Sequence, residues 1–224
     1  MQAVLASSGE QLAANILRLC LDETQREGVL AADGHLALIT LLHAGAGSNT
    51  TEHAVQALVE LSCLKKAKVP IVQAGVVAPI VALLRTAPTA SNENVLENGA
   101  SLVSNLAMAS AAMKAFQKAG AIATLVSLLG AAPLIARQAA GALCNLSFDA
   151  EAKKVVNITE IREAGAIPAL VALLHGETAR TAAGALLNLA DEAVGTSVIR
   201  SAGGIVTLVA LLHAAEAETA ENAA

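Results

Sequence analysis

The chain has 224 residues, 19 acidic against 14 basic for a net charge of -5, and 55% hydrophobic content, with Phe116 and Phe148 as its only aromatics. The acidic balance offers no electrostatic footprint for a nucleic-acid backbone or an anionic membrane. Three cysteines, Cys20, Cys63 and Cys144, with no C-x-x-C spacing, indicate neither a disulfide framework nor a zinc site. The core must come from Ala, Leu, Val and Ile, which suits closely stacked helices.

Read in chain order, the opening MQAVLASSGEQ has no basic n-region and no long apolar stretch, so no signal peptide is evident. A first half-polar helix is expected in EQLAANILRLC from Glu10. Next comes the phrase ADGHLALITLL from Ala32, followed by a second half-polar helix, EHAVQALVELS, from Glu52. The phrase returns as AGVVAPIVALL from Ala74, with the looser NGASLVSNLA from Asn98 behind it. It returns again as AGAIATLVSLL from Ala119 with RQAAGALCNLS from Arg137, and as AGAIPALVALL from Ala164 with RTAAGALLNLA from Arg180. A last copy, AGGIVTLVALL, starts at Ala202. Short polar-to-apolar segments such as SAAMKAFQKAG lead into the phrases.

Aligned on their second residue, the copies fall at Asp33, Gly75, Gly120, Gly165 and Gly203, with steps of 42, 45, 45 and 38. Such a period belongs to stacked units of two or three helices. Within the phrase, Ile167, Leu170, Val171 and Leu174 recur at i, i+3, i+4 and i+7, one buried helix face. The preceding Ala-Gly pair supplies a left-handed residue that ends one helix before the next, and Asp33 tolerates that conformation where Gly is missing. Each unit is expected to hold a short first helix, a long apolar second helix and a long half-polar third helix. The whole of 1–224 reads as one all-α solenoid: a partial repeat at 10–32, repeats at about 33–74, 75–119, 120–164 and 165–202, and a partial repeat at 203–224.

The uncharged stretch between Lys118 and Arg137 is broken by Thr124, Ser127, Gly130 and Pro133, and its first half is a copy of the phrase, so direct membrane insertion is not expected. Asn157-Ile158-Thr159 matches a glycosylation sequon by coincidence. One polar position on each half-polar helix, Arg18, Glu60, Asn105 and Asn188, lies 15 residues before the next Asp33, Gly75, Gly120 or Gly203. From Asn145 to Gly165 the distance is 20, so an insertion near AEAKKVVNITEI is expected to lengthen the short helix or its loop.

These phrases resemble the armadillo repeat family over nearly all of Glu10 to Leu212, within whose usual period of about 40 to 47 residues they fall. AGAIPALVALL followed by AAGALLNLA is closer in style to the repeats of vacuolar protein 8 and of plant U-box ubiquitin ligases than to importin alpha. The resemblance implies a right-handed α-solenoid of about four to five units, partial at both ends, whose third helices line a concave groove. In the family a recurring Asn there hydrogen-bonds the backbone of an extended peptide, and the matching residues are Asn105, Asn145 and Asn188. Glu60 and Arg18 take that position in the earlier units. The Trp that importin alpha carries four residues before the Asn is replaced by Ser101, Gly141 and Gly184, with Gln56 and Ala14 earlier, so binding of nuclear-localisation signals is not expected. No U-box or kinase sequence accompanies the repeats.

An Asn offers one acceptor and two donors and can serve both backbone groups of an extended residue, or it can tie neighbouring helices together. Thr181 lies on the same stripe, and Arg137 and Arg180, eight residues before Asn145 and Asn188, are expected to bias that part of the groove toward acidic ligands. His43, His175 and His213 follow the apolar helix and are read as helix-terminus residues, and His35 as a satisfied half-buried histidine. Cys144 lacks a partner histidine in its own unit and is read as a small thiol. Glu52 and Glu60, like Glu93 and Glu97, are read as solvated groove or rim charges.

The tail HAAEAETAENAA resembles the opening of a further third helix, and Leu208, Val209 and Leu212 are expected to be partly exposed, favouring a longer array or end-to-end self-association. The expected function is a non-catalytic scaffold for a protein or peptide partner in extended conformation, without cofactor, metal or nucleic acid. The alternative is the substrate-recruiting region of a ubiquitin ligase. Unpaired cysteines point to a reducing compartment, so a cytoplasmic location is expected, with nucleus or organelle surface reached through partners.

Overall fold

The computed structural model describes residues 2–149 and 154–222, with side chains over 8–149 and 154–213. Five third helices form its spine: α1 (Gln2–Leu21), α4 (Asn49–Ser62), α7 (Glu93–Ala107), α10 (Pro133–Leu146) and α13 (Ala179–Leu189). Each packs directly on the next. Between them lie short first helices, α2 (Arg26–Ala31), α5 (Lys68–Gln73), α8 (Ser110–Lys118), α11 (Ile158–Glu163) and α14 (Ala193–Ser201). The repeated phrase forms the second helices, α3 (Gly34–Leu41), α6 (Val77–Leu84), α9 (Ala121–Leu128), α12 (Ala166–Ala172) and α15 (Gly204–Asn222).

The joint between first and second helices takes the left-handed conformation in every unit: Asp33 at φ 56°, Gly75 at 88°, Gly120 at 71°, Gly165 at 82° and Gly203 at 78°. It turns the chain so that the second helix lays its apolar stripe inward, where Ile80, Ile122, Leu125, Ile167 and Leu170 are buried. Each such side chain contributes about 1.5–3 kcal/mol of burial. On the third helices the buried side is rich in Ala, among them Ala54, Ala57, Ala100, Ala139 and Ala182. Small residues let neighbouring third helices approach closely: a Cβ added at Gly184 would lie 3.1 Å from Cys144 Sγ, and one at Gly141 would lie 3.6 Å from Ser104 Oγ.

Several expectations need correction. The second helices α3, α6, α9 and α12 span only seven or eight residues. Loop chemistry stops them early. Beyond α6 the buried Asn92 accepts from Thr89 N at 2.7 Å and donates to Ala87 O at 3.0 Å, locking the loop into α7. Beyond α9, Pro133 opens α10 at its first turn, where a missing N–H costs nothing.

The insertion lengthens the loop and not the short helix. It forms a small hairpin, β1 (Phe148–Asp149) against β2 (Lys154–Val155), antiparallel, while α11 keeps six residues. The left-handed Asn157 closes it by donating its side chain to Leu146 O at 2.8 Å. His35 is buried, and its Nδ1 has no hydrogen-bond partner, so it is not the satisfied half-buried residue expected. At the tail, α15 runs on to Asn222 and places His213 inside a helix instead of at its end. His43 and His175 do follow the ends of α3 and α12.

At this end of the spine Leu208 is half-buried, Val209 and Leu212 are exposed, and Leu187 stands 74% exposed beside them. Among the described residues no single helix is long and apolar enough to cross a membrane. The uncharged 119–136 stretch is divided among α9, its loop and the first turn of α10.

The left-handed joint can be tested directly. Gly165→Ala is expected to lower stability by about 1–2 kcal/mol through backbone strain alone, since a Cβ there meets no atom within 4 Å, whereas Asp33→Gly raises it by about 0.5–1 kcal/mol. Urea midpoints of the two variants against the parent chain check both signs.

Candidate functional site

The third helices run in the same sense and share one face, so positions that recur in the sequence become rows across the molecule. Asn105, Asn145 and Asn188 form such a row, each half-buried. Their amide groups turn toward the preceding third helix. Asn105 Nδ2 donates to Ser62 Oγ at 2.9 Å, and Asn145 Nδ2 to Ser104 O at 2.9 Å and Ser104 Oγ at 3.0 Å. Asn188 Nδ2 donates to Ser147 Oγ at 2.8 Å and Cys144 O at 3.2 Å. The serines relay the bond onward: Ser62 Oγ donates to Val59 O at 2.6 Å and Ser147 Oγ to Cys144 O at 2.7 Å. The three carboxamide oxygens accept no bond from any described residue.

The Asn row therefore holds neighbouring helices together through nitrogen and leaves oxygen for other donors. Sequence reading singled out the Asn residues but missed Ser62, Ser104 and Ser147. The recurrence of Ser two residues after the row position, at Ser62 and Ser147, was the available signal.

Glu60 occupies the same row and is not a solvated groove charge. It is half-buried in an ion pair with Arg26 of α2, and Arg26 Nε also donates to Cys20 O at 2.7 Å. One unit later Lys68 of α5 plays the matching part, its Nζ donating to Asn105 O at 2.7 Å. Glu52 is half-buried and accepts from Asn94 at 2.8 Å, Glu97 is half-buried and Glu93 exposed.

Ser101 is half-exposed on the row's flank, and Thr181 is likewise half-exposed with its hydroxyl donating to Thr178 O at 2.9 Å. Arg137 lies 3.6 Å from Glu177 in an ion pair open to solvent, and Arg180 is exposed. Burial raises the Cys144 thiol above its ordinary pKa, which disfavours the thiolate a nucleophile needs. Among the described residues no His, Cys, Asp and Glu side chains gather in a group suited to a metal.

Stacked three-helix units with a left-handed joint and a continuous row of third helices define a helical-repeat solenoid. The armadillo/beta-catenin-like repeat model matches residues 155–191, which run from β2 through α13. An engineered protein of known structure matches with 27% identity over 92% of this chain and 83% of its own, at a TM-score of 0.78. A designed armadillo repeat protein matches with 24% identity over 90% and 84%, at 0.76. Another designed armadillo repeat protein, solved in complex with the peptide (KR)4, matches with 23% identity over 92% and 83%, at 0.71. No curated protein matches the sequence significantly. Residues 155–191 thus match an armadillo repeat, and the chain as a whole has the fold of the armadillo-repeat solenoids.

The buried lysine gives a pH-dependent signature. Desolvation lowers the Lys68 pKa below its ordinary 10.5, so between the lowered value and 10.5 the unfolded chain binds a proton that the folded chain does not. Stability from this group rises with pH across that window. Cys20 acts oppositely: burial pushes its thiol from 9.0 to about 11, so its contribution is complete below 9.0 and fades as pH climbs toward 11. Comparing the parent chain with Lys68→Met at each pH cancels the Cys20 effect. The parent's urea midpoint is expected to gain on the variant's as pH rises through the window, and a constant difference would contradict the assignment.

Proposed function

We propose that this chain is a non-catalytic scaffold that holds an extended segment of a partner protein along the face of its third helices. The observation that carries this reading is the row of carboxamide oxygens at Asn105, Asn145 and Asn188, repeated once per unit beside half-exposed Ser101 and Thr181 and left without a partner among the described residues. An acceptor at each step suits the backbone N–H groups of a strand-like ligand, and each bond adds about 0.5–1.5 kcal/mol. Specificity then rests on side chains flanking the row. Arg137 and Arg180 stand eight residues before Asn145 and Asn188 and draw acidic ligand residues. The solved complex of a designed armadillo repeat protein with the peptide (KR)4 supports a peptide as the ligand type for this fold. A substrate-recruiting region of a ubiquitin ligase would use the same face, with the catalytic module supplied elsewhere.

Since the Asn nitrogens hold helices together, Asn105→Ala, Asn145→Ala and Asn188→Ala are expected to cost about 0.5–1.5 kcal/mol of stability each as well as affinity. Position-specific cross-linking separates the two effects. Peptides selected from a displayed random library are expected to be captured by a photoreactive residue placed at Ser101 and not by one at Lys118, exposed on first helix α8. Capture at Lys118 alone would sink the reading.

A further inference from the structure

The position eight residues before the Asn row has a property of its own. In chain order it holds Glu10, Glu52, Glu97, Arg137 and Arg180, so the row changes sign between α7 and α10. The first four are half-buried and Arg180 is exposed, all within reach of a ligand. Local bonding leaves most of that charge uncancelled. Glu10 and Glu52 accept from the neutral Asn49 and Asn94, at 3.0 Å and 2.8 Å. The side chains of Glu97 and Arg180 bond to no described residue. Among the described residues Arg137 is paired with the 83% exposed Glu177 alone.

The neighbouring rows do not blur the pattern. Seven residues before the Asn row stand Gln11, His53, Asn98, Gln138 and Thr181, and four before it Ala14, Gln56, Ser101, Gly141 and Gly184. No acidic side chain, Lys or Arg occurs in either. On the Asn row itself, Glu60 is paired with Arg26, and the exposed Arg18 offsets Glu10 in the first unit. The net contrast is therefore Glu52 and Glu97 on one side against Arg137 and Arg180 on the other.

Packed helix axes lie about 8–10 Å apart, comparable to the Debye length of about 8 Å at physiological ionic strength. A ligand residue thus feels the charge of the unit it lies on more than the average of the face. We propose that the third-helix face selects an extended segment whose charge changes sign along its length, basic over α4 and α7 and acidic over α10 and α13. This deepens the peptide-binding reading and rests on it. At about 3.3 Å per extended residue, each unit spans about three residues, so each charged block covers about six.

Four synthetic peptides of matched length test it, with binding read by fluorescence anisotropy: a Lys block followed by a Glu block, the reverse order, a strictly alternating Lys-Glu peptide, and an all-Lys peptide. One block order is expected to bind about three- to tenfold more tightly than the alternating and all-Lys peptides, with an advantage that shrinks as salt is raised. Reversing all four charges with Glu52→Arg, Glu97→Arg, Arg137→Glu and Arg180→Glu should transfer the preference to the opposite order. Circular dichroism melts verify that the variant folds. Equal binding of all four peptides, or a preference that survives the reversal, overturns the charge pattern while leaving the peptide face intact. Absence of binding by all four, together with failure of library-selected peptides to cross-link through Ser101, overturns the peptide face itself.

Discussion

The close approach of successive third helices is the constraint on which the rest of the molecule depends. Ala54, Ala100, Ala139 and Ala182 are buried along that contact, and a side chain at Gly184 would press on Cys144 Sγ at 3.1 Å. At that separation a short carboxamide can span from one helix to the end of the preceding one, as Asn145 does to Ser104. Larger residues at the contact would widen the gap beyond an Asn's reach and leave the amide and the buried serine hydroxyls to find other partners. Gly141 and Gly184 are in this sense packing residues, since they set the helix spacing on which the Asn row is built.

The left-handed joints serve the same constraint from the other side of the unit. A residue with positive φ at Asp33, Gly75, Gly120, Gly165 and Gly203 turns each second helix so that its apolar stripe backs the third helix. These features were legible in the sequence because they are local: a Gly at a fixed offset, an i, i+3, i+4, i+7 stripe, and a polar residue on one helix face. The expectation that the units stack as a solenoid followed from the same periodicity.

What the sequence hid was set between units, at separations of about 40 residues, where periodicity carries no information. Glu60 reads as a solvated carboxylate on its own helix, and only stacking brings Arg26 of the neighbouring first helix against it. The Asn row was visible, but which end of each amide faces the protein is decided by Ser62, Ser104 and Ser147 on the preceding helix. Helix lengths failed for a different reason. The second helices stop where loop groups such as Asn92 outcompete helical hydrogen bonds, and α15 continues because no such loop follows Leu212 among the described residues. His35 sits at a core position of the first phrase, and a sequence pattern cannot report that its Nδ1 finds no donor or acceptor.

The orientation of the Asn row also constrains what the face can bind. Asn145 and Asn188 each place two acceptors around Nδ2, from Ser104 in one case and from Cys144 and Ser147 in the other. A ligand carbonyl seeking those N–H groups would have to displace bonds that hold the solenoid together, whereas a ligand N–H meets a carboxamide oxygen at no such cost. On the proposed reading, backbone recognition at Asn145 and Asn188 would be donor-selective, with one bond from each where an unconstrained Asn could supply two. With fewer backbone bonds available, discrimination between the proposed ligands would rest on the flanking side chains, and the row eight residues upstream, from Glu52 and Glu97 to Arg137 and Arg180, carries a reversal of charge.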